Sequence, residues 1–178
     1  KKLRRRYHVS DEYDYRENSI YKTYLACDAV SDEVLLRNHY RCNKEIIGFN
    51  NKKYYNSKLK IQSKSNEPEP LVYMDVKSDN TQIKNTSPAE VEEVVEYALL
   101  NKDKSIAVIT PFVNQKQLIE NAIKQNKLSN LVCGTVHAFQ GDEKDVVLFS
   151  TAISERTSSG TYNWLKNNKE LINVATSR

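Results

Sequence analysis

Short apolar runs alternate with helical-period segments along most of this chain, and that alternation limits the fold more than any other feature. Residues 106–109 (Ile-Ala-Val-Ile) are apolar throughout, and residues 131–136 and 146–151 are largely so. Such strands suit a sheet covered on both faces. Between and before them, Val91, Val94, Val95, Ala98 and Leu99 recur at helical spacing, as do Leu118, Ile119, Ala122 and Ile123. Strand–helix alternation predicts an α/β domain with a parallel sheet and helices on both faces. Ser87, Pro88 and Glu90 form a helix start with an N-cap, a proline at the first position and a capping-box glutamate. Residues 71–76 are expected to add a strand. Residues 19–27 are expected to form a short helix. Asn43 is placed to cap a helix with Ile46, Ile47 and Phe49 on its apolar side, and Asn50, Asn51, Asn56 and Ser57 to form its turn-rich exit. Residues 164–178 are expected to be largely helical. Ligands of such sheets gather at the carboxyl ends of strands, which directs attention to residues 110–112 and 137–145.

The chain has 178 residues, the size of one ordinary domain. No apolar run approaches the roughly 20 residues that span a bilayer, so no membrane role is expected. Cys27, Cys42 and Cys133 are odd in number and far apart, with no CxxC. That pattern disfavours a disulfide framework or structural zinc site and predicts a cytoplasmic setting. No metal site is expected. The net charge is +4, but Lys1, Lys2, Arg4, Arg5 and Arg6 supply five positive charges. Subtracting those five from +4 leaves −1 for the rest, so bulk charge is a weak argument for a nucleic-acid partner. The four glycines are followed by Phe49, Thr135, Asp142 and Thr161, never by lysine. There is no P-loop and no GxGxxG, which argues against a stand-alone nucleotide hydrolase.

Three segments stand out. The first is Asn38-His39-Tyr40-Arg41 followed by Asn43-Lys44-Glu45-Ile46-Ile47. The second runs Gly134-Thr135-Val136-His137-Ala138-Phe139-Gln140-Gly141-Asp142-Glu143-Lys144-Asp145. The third is Leu171-Ile172-Asn173-Val174-Ala175-Thr176-Ser177-Arg178, and Ile109-Thr110-Pro111-Phe112 with Gln115 supports them. With these motifs in this order, the chain resembles the second RecA-like domain of a superfamily 1 helicase. It is similar to the branch containing the nonsense-mediated-decay helicase and its bacterial relatives. The second segment resembles helicase motif V and the third motif VI, with Ser177 in place of threonine. The first resembles the Tyr-Arg motif that opens the second motor domain. Cys42, Asn43 and Lys44 follow where the family continues with histidine and proline.

The resemblance implies a C-terminal motor domain of an ATP-dependent DNA or RNA helicase or translocase. ATP with Mg would be held mainly by an N-terminal RecA-like domain of the same protein. Arg41 and Arg178 would be the arginines supplied in trans to the transferred phosphoryl group, where removal of such a group costs on the order of 10³–10⁵ in rate. Gly141 would lie near the terminal phosphate, Glu143 would accept from the ribose hydroxyls, and Gln140 would link nucleotide state to the nucleic-acid side. Thr110, Pro111, Phe112, Thr135 and His137 would contact single-stranded DNA or RNA. Residues 1–30 are expected to be a linker or the end of the preceding motor domain and residues 31–178 the second RecA-like domain, stopping before its last strand. The isolated chain is expected to lack ATPase activity. The alternative is a degenerate, non-catalytic module that docks nucleic acid or protein.

Overall fold

The computed structural model describes residues 5–27, 34–64, 68–77, 83–139 and 144–177, without the side chains of His137 and Phe139. The chain divides into two compact units, Lys1–Leu36 and Arg37–Arg178. The break falls a few residues beyond the expected boundary after residue 30.

The first unit holds a 3-10 turn, Asp11–Tyr13, and helix α1, Ile20–Cys27. The Thr23 hydroxyl donates to the Glu12 carbonyl at 2.8 Å and ties the two together. Arg16 grips the buried Asp14 carboxylate through Nε and Nη2. Ile20, Tyr21, Tyr24 and Leu25 of α1 are all exposed.

The second unit is built on parallel pairing. Strand β1 (Asn38–His39) pairs with β2 (Lys60–Ile61), joined by helix α2 (Lys44–Tyr54). Helix α3 spans Pro88–Leu100, β3 Ile106–Thr110, α4 Val113–Gln125, β4 Leu131–Thr135 and β5 Val146–Phe149. A 3-10 helix, Val136–Phe139, follows β4 directly. Helices α5 (Ser159–Asn167) and α6 (Lys169–Ala175) finish the unit. The largely helical character expected of residues 164–178 is thus shared between two helices. The single backbone N–H of Asn168 is shared between the Trp164 and Leu165 carbonyls and closes α5 before α6 begins.

The three-stranded sheet has the order β4-β3-β5, parallel throughout. Successive side chains of a strand point to opposite faces, and β3 shows the result. Ile106 and Val108 pack with Val91, Val94 and Ala98 of α3, Ile119 of α4, and Leu128 and Leu131. Ala107 and Ile109 pack on the other face with Val136 and with Ala175 of α6. Both faces are covered, which makes this the expected RecA-like α/β architecture. Because α4 leaves β3 toward one face while α6 covers the other, the carboxyl ends of β3 and β5 form a topological switch point.

Residues 71–76 do not form the expected strand. No ladder involves them, and Leu71, Val72, Tyr73 and Met74 are exposed. An apolar, β-prone run becomes a strand only when a neighbour supplies backbone partners. Phe49 also departs from expectation. It is exposed and stands edge-on to Tyr54 at 6.0 Å between ring centroids, while Asn50 is fully buried. Asn50 and Asn51 lie within α2, and the exit turn starts later, at Asn56 and Ser57 with φ of 50° and 59°.

Candidate nucleotide-facing edge and strand ends

Two of the singled-out segments meet in space. The Asn43 carboxamide caps α2 by accepting from Glu45 N–H at 3.3 Å, a contact that contributes about 1 kcal/mol in comparable helices. The cap sets the chain direction just after Arg41, which is exposed. The Cys42 thiol, buried, donates to the Ser177 carbonyl at 2.9 Å. On the next turns of α2, the Asn50 carboxamide donates to the Asn173 carbonyl at 3.0 Å, and its oxygen lies 2.7 Å from the Thr176 hydroxyl. Asn173 in turn donates to the Tyr55 hydroxyl at 3.0 Å. The segment that opens with Arg41 and the segment that leads to Arg178 are thus laced together by four polar contacts. Arg178 itself lies outside the described residues, as do Gln140, Gly141 and Glu143.

His39 belongs to the same corner. Its Nε2 accepts the Cys42 N–H at 3.0 Å, which requires the neutral ring with the proton on Nδ1. Burial holds the imidazole pKa below its ordinary value, and the nearby Arg41 charge adds to the effect.

The strand ends are different in character. Thr110 and Thr135 are register partners at the carboxyl ends of β3 and β4. Thr110 is fully buried, and its hydroxyl accepts the Phe112 N–H at 3.4 Å. Phe112 is also buried, its ring tilted against Trp164 with centroids 6.1 Å apart. A ring buried in this way has no face to offer a base, so in this conformation Phe112 is a core residue and not the expected strand contact. Pro111 and Thr135 keep partial exposure. His137 lies in the 3-10 helix after β4, and its side chain is outside the described set.

Beneath the switch point runs a buried polar network that sequence inspection did not reveal. The Gln115 carboxamide, fully buried, accepts from Ser87 N–H at 2.8 Å and donates to the Ser87 carbonyl and the Ser150 hydroxyl. Ser150 donates to Glu90 at 2.6 Å, and the Glu90 carboxylate also accepts the Ala152 N–H at 3.0 Å. Ser87 still caps α3 through Glu90 N–H. The reciprocal half of the expected capping box is replaced, because Gln115 takes the Ser87 N–H and frees Glu90 to hold the chain after β5. Ala152 has φ of 46°, a left-handed conformation that costs an ordinary residue about 1–2 kcal/mol. Its hydrogen bond to Glu90 offsets part of that strain.

Asp145, the last residue of the second segment, sits at the opposite end of the sheet. Its carboxylate accepts from Ser105 N–H and Oγ at 2.8 and 2.6 Å, and its own N–H donates back to Ser105 Oγ. These bonds lower its pKa, and they fix the start of β5 beside the start of β3. Among the described residues no group of three or more His, Cys, Asp or Glu could hold a metal ion. No described helix is long and apolar enough to cross a membrane.

Comparison with known proteins agrees with this geometry. The protein family described as AAA domain matches residues 16–178. The chain belongs to this family. Its similarity to helicases places it as a superfamily 1 RecA-like helicase domain of the nonsense-mediated-decay branch. The probable helicase with zinc finger domain of Homo sapiens is 27% identical over 161 residues, covering 80% of this chain and 8% of that protein. Its counterpart in Danio rerio is 24% identical over 161 residues, with 80% and 9% covered. Helicase sen1 of Schizosaccharomyces pombe is 31% identical over 143 residues, covering 65% of this chain and 8% of the relative. The chain therefore spans under a tenth of the length of these relatives. The family match begins at residue 16, inside the segment expected to be a linker.

Proposed function

We propose that this domain is the second half of an ATP-driven nucleic-acid motor. It closes on an N-terminal RecA-like domain of the same protein, which holds Mg-ATP, and grips single-stranded DNA or RNA. The observation that carries this reading is the junction of Cys42 with Ser177, which joins the neighbourhoods of the two candidate arginines at one edge. An exposed guanidinium such as Arg41 suits a phosphate oxygen, being planar, always charged and able to donate through two N–H groups at once.

In this account Arg41 and Arg178 stabilise charge that develops on the transferred phosphoryl group. Bound ATP supplies the free energy for alternating domain closure and opening. The Gly141 backbone approaches the terminal phosphate, Glu143 accepts from the ribose, and Gln140 relays nucleotide state toward the strand. The nucleic acid crosses the carboxyl ends of the strands. There Pro111 and Thr135 contact the backbone and His137 contacts sugar or base. The names of the helicase relatives support the class of activity.

The test is ATP hydrolysis by the full-length protein, with and without single-stranded DNA or RNA, for wild type beside Arg178→Ala. Strand-stimulated hydrolysis that collapses in the variant is the expected result. Absent hydrolysis, or hydrolysis indifferent to Arg178, would leave a docking module in its place. The isolated chain is expected to hydrolyse no ATP, since it has no P-loop.

A further inference from the structure

We propose that Asn50 is a positioning residue for ATP hydrolysis, locking α6 onto α2 so that the flanks of Arg41 and Arg178 keep one fixed spacing. The inference rests on the proposed roles of those two arginines.

Asparagine is a poor choice for a helix interior, because its side chain competes for backbone hydrogen bonds. It is also a poor choice for a buried helix–helix contact, where an apolar residue would pack without any polar group to satisfy. Yet Asn50 is fully buried in the middle of α2. Both ends of its carboxamide are used, and both reach α6 or its exit: Nδ2 to the Asn173 carbonyl and Oδ1 to the Thr176 hydroxyl. Positions 173 and 176 are three apart and share a face of the helix.

The Asn173 bond has a second consequence. The last carbonyls of a helix have no partner within it. Ile172 and Val174 are served locally by the N–H groups of Thr176 and Ser177, whereas Asn173 receives its donor from Asn50 on a different helix. Helix α6 has only seven residues, too few to be stable alone. Its end is therefore held by α2. An apolar contact would tolerate sliding or rotation of α6, but a carboxamide that donates to the Asn173 carbonyl and shares the Thr176 hydroxyl with the Ile172 carbonyl does not, much as a single buried asparagine fixes register in a coiled coil. Ser177, the residue before Arg178, then sits against Cys42, the residue after Arg41.

Neighbouring Asn51 supplies an internal control. Its carboxamide bonds both N–H and C=O of Leu59, holding the exit of α2 without touching α6. Steady-state hydrolysis by the full-length protein, saturated with single-stranded nucleic acid, is measured for Asn50→Ala, Thr176→Val and Asn51→Ala. Each variant is assayed at the same interval below its own melting temperature, so that loss of stability alone does not register. Small misplacements of reacting groups cost up to about 10² in rate. We therefore expect Asn50→Ala to lower kcat by roughly tenfold or more, with KM for ATP within about twofold of wild type. Thr176→Val should move kcat in the same direction, and Asn51→Ala should retain wild-type kcat. If Asn50→Ala fails to fold, Thr176→Val carries the test, since it keeps the Asn173 bond. Wild-type kcat in the foldable variants, an effect on KM alone, or an equal loss in Asn51→Ala would overturn the proposal. Arg41→Ala run in parallel separates the two levels. Hydrolysis that survives it sinks the underlying reading, whereas hydrolysis that collapses there but persists in Asn50→Ala removes only the role of Asn50.

Discussion

The thiol of Cys42 lies 2.9 Å from the carbonyl oxygen of Ser177, 135 positions away in the chain. Each residue adjoins an arginine in sequence, Arg41 on one side and Arg178 on the other. The contact sits where α2 and α6 meet, and it is reinforced by His39 below Cys42 and by Asn50 above Ser177. A corner with this many directional bonds is built for a fixed geometry. Apolar packing alone would have produced a looser one.

The Gln115 network predicts a large effect of a volume-conserving change. Gln115→Leu keeps the side chain similar in size but makes it apolar, which orphans the buried Ser87 N–H and removes the donor to Ser150. Each unsatisfied buried group costs about 1–3 kcal/mol, so a destabilisation of about 2–4 kcal/mol is expected. Urea denaturation should show a lower midpoint with an unchanged slope. A midpoint equal to wild type would show that the network adds nothing to stability.

Stability should fall in two stages on acidification. His39 has a folded pKa below its ordinary 6.5, so the unfolded chain binds the proton more readily. Its contribution is complete above the unfolded value and is lost as pH drops through the folded one. Asp145 is also depressed, from 3.8, chiefly by its Ser105 hydrogen bond, and its contribution disappears at still lower pH by the same sign. Thermal melts of His39→Gln against wild type from neutral pH downward should show a shallower first stage in the variant. Parallel curves would remove His39 as its source.

The cysteines should differ sharply in reactivity. Burial, helped by the Glu120 charge, pushes the Cys133 thiol up to about 12, and Cys42 is buried and bonded. Cys27 is exposed. Since the thiolate is the nucleophile, iodoacetamide at mildly alkaline pH should modify Cys27 first, with Cys133 and Cys42 reacting only on unfolding. Peptide mass spectrometry gives the order directly, and early labelling of Cys133 would contradict the burial seen at β4.

The sequence made some of this legible, and the difference has a physical basis. Helices α3 and α4 show their period in single windows, since Val91, Val94 and Ala98 form a stripe that only one face can bury. The central strand is equally plain, because the four successive apolar residues Ile106 to Ile109 suit a doubly covered strand. Residues 71–76 look like a strand by composition, but composition does not provide a pairing partner. Asn50 looks like a turn residue because asparagine usually is one, but its partners lie more than 120 positions away. Glu90 and Gln115 were hidden for the same reason. Their meaning depends on Ser150 and Ala152, brought near only by the parallel pairing of β3 and β5. Phe112 followed a strand end, as a ligand-contacting ring would, and Trp164 covers it from a distant helix. Arg41 was legible through its motif and stands exposed at the junction of the two segments.

The proposed trans role of Arg41 is checked by strand-stimulated ATP hydrolysis in the full-length protein carrying Arg41→Ala, with ATP affinity measured alongside. A fall in kcat on the order of 10³ or more is expected, with ATP binding largely kept. Hydrolysis within a few-fold of wild type would contradict it.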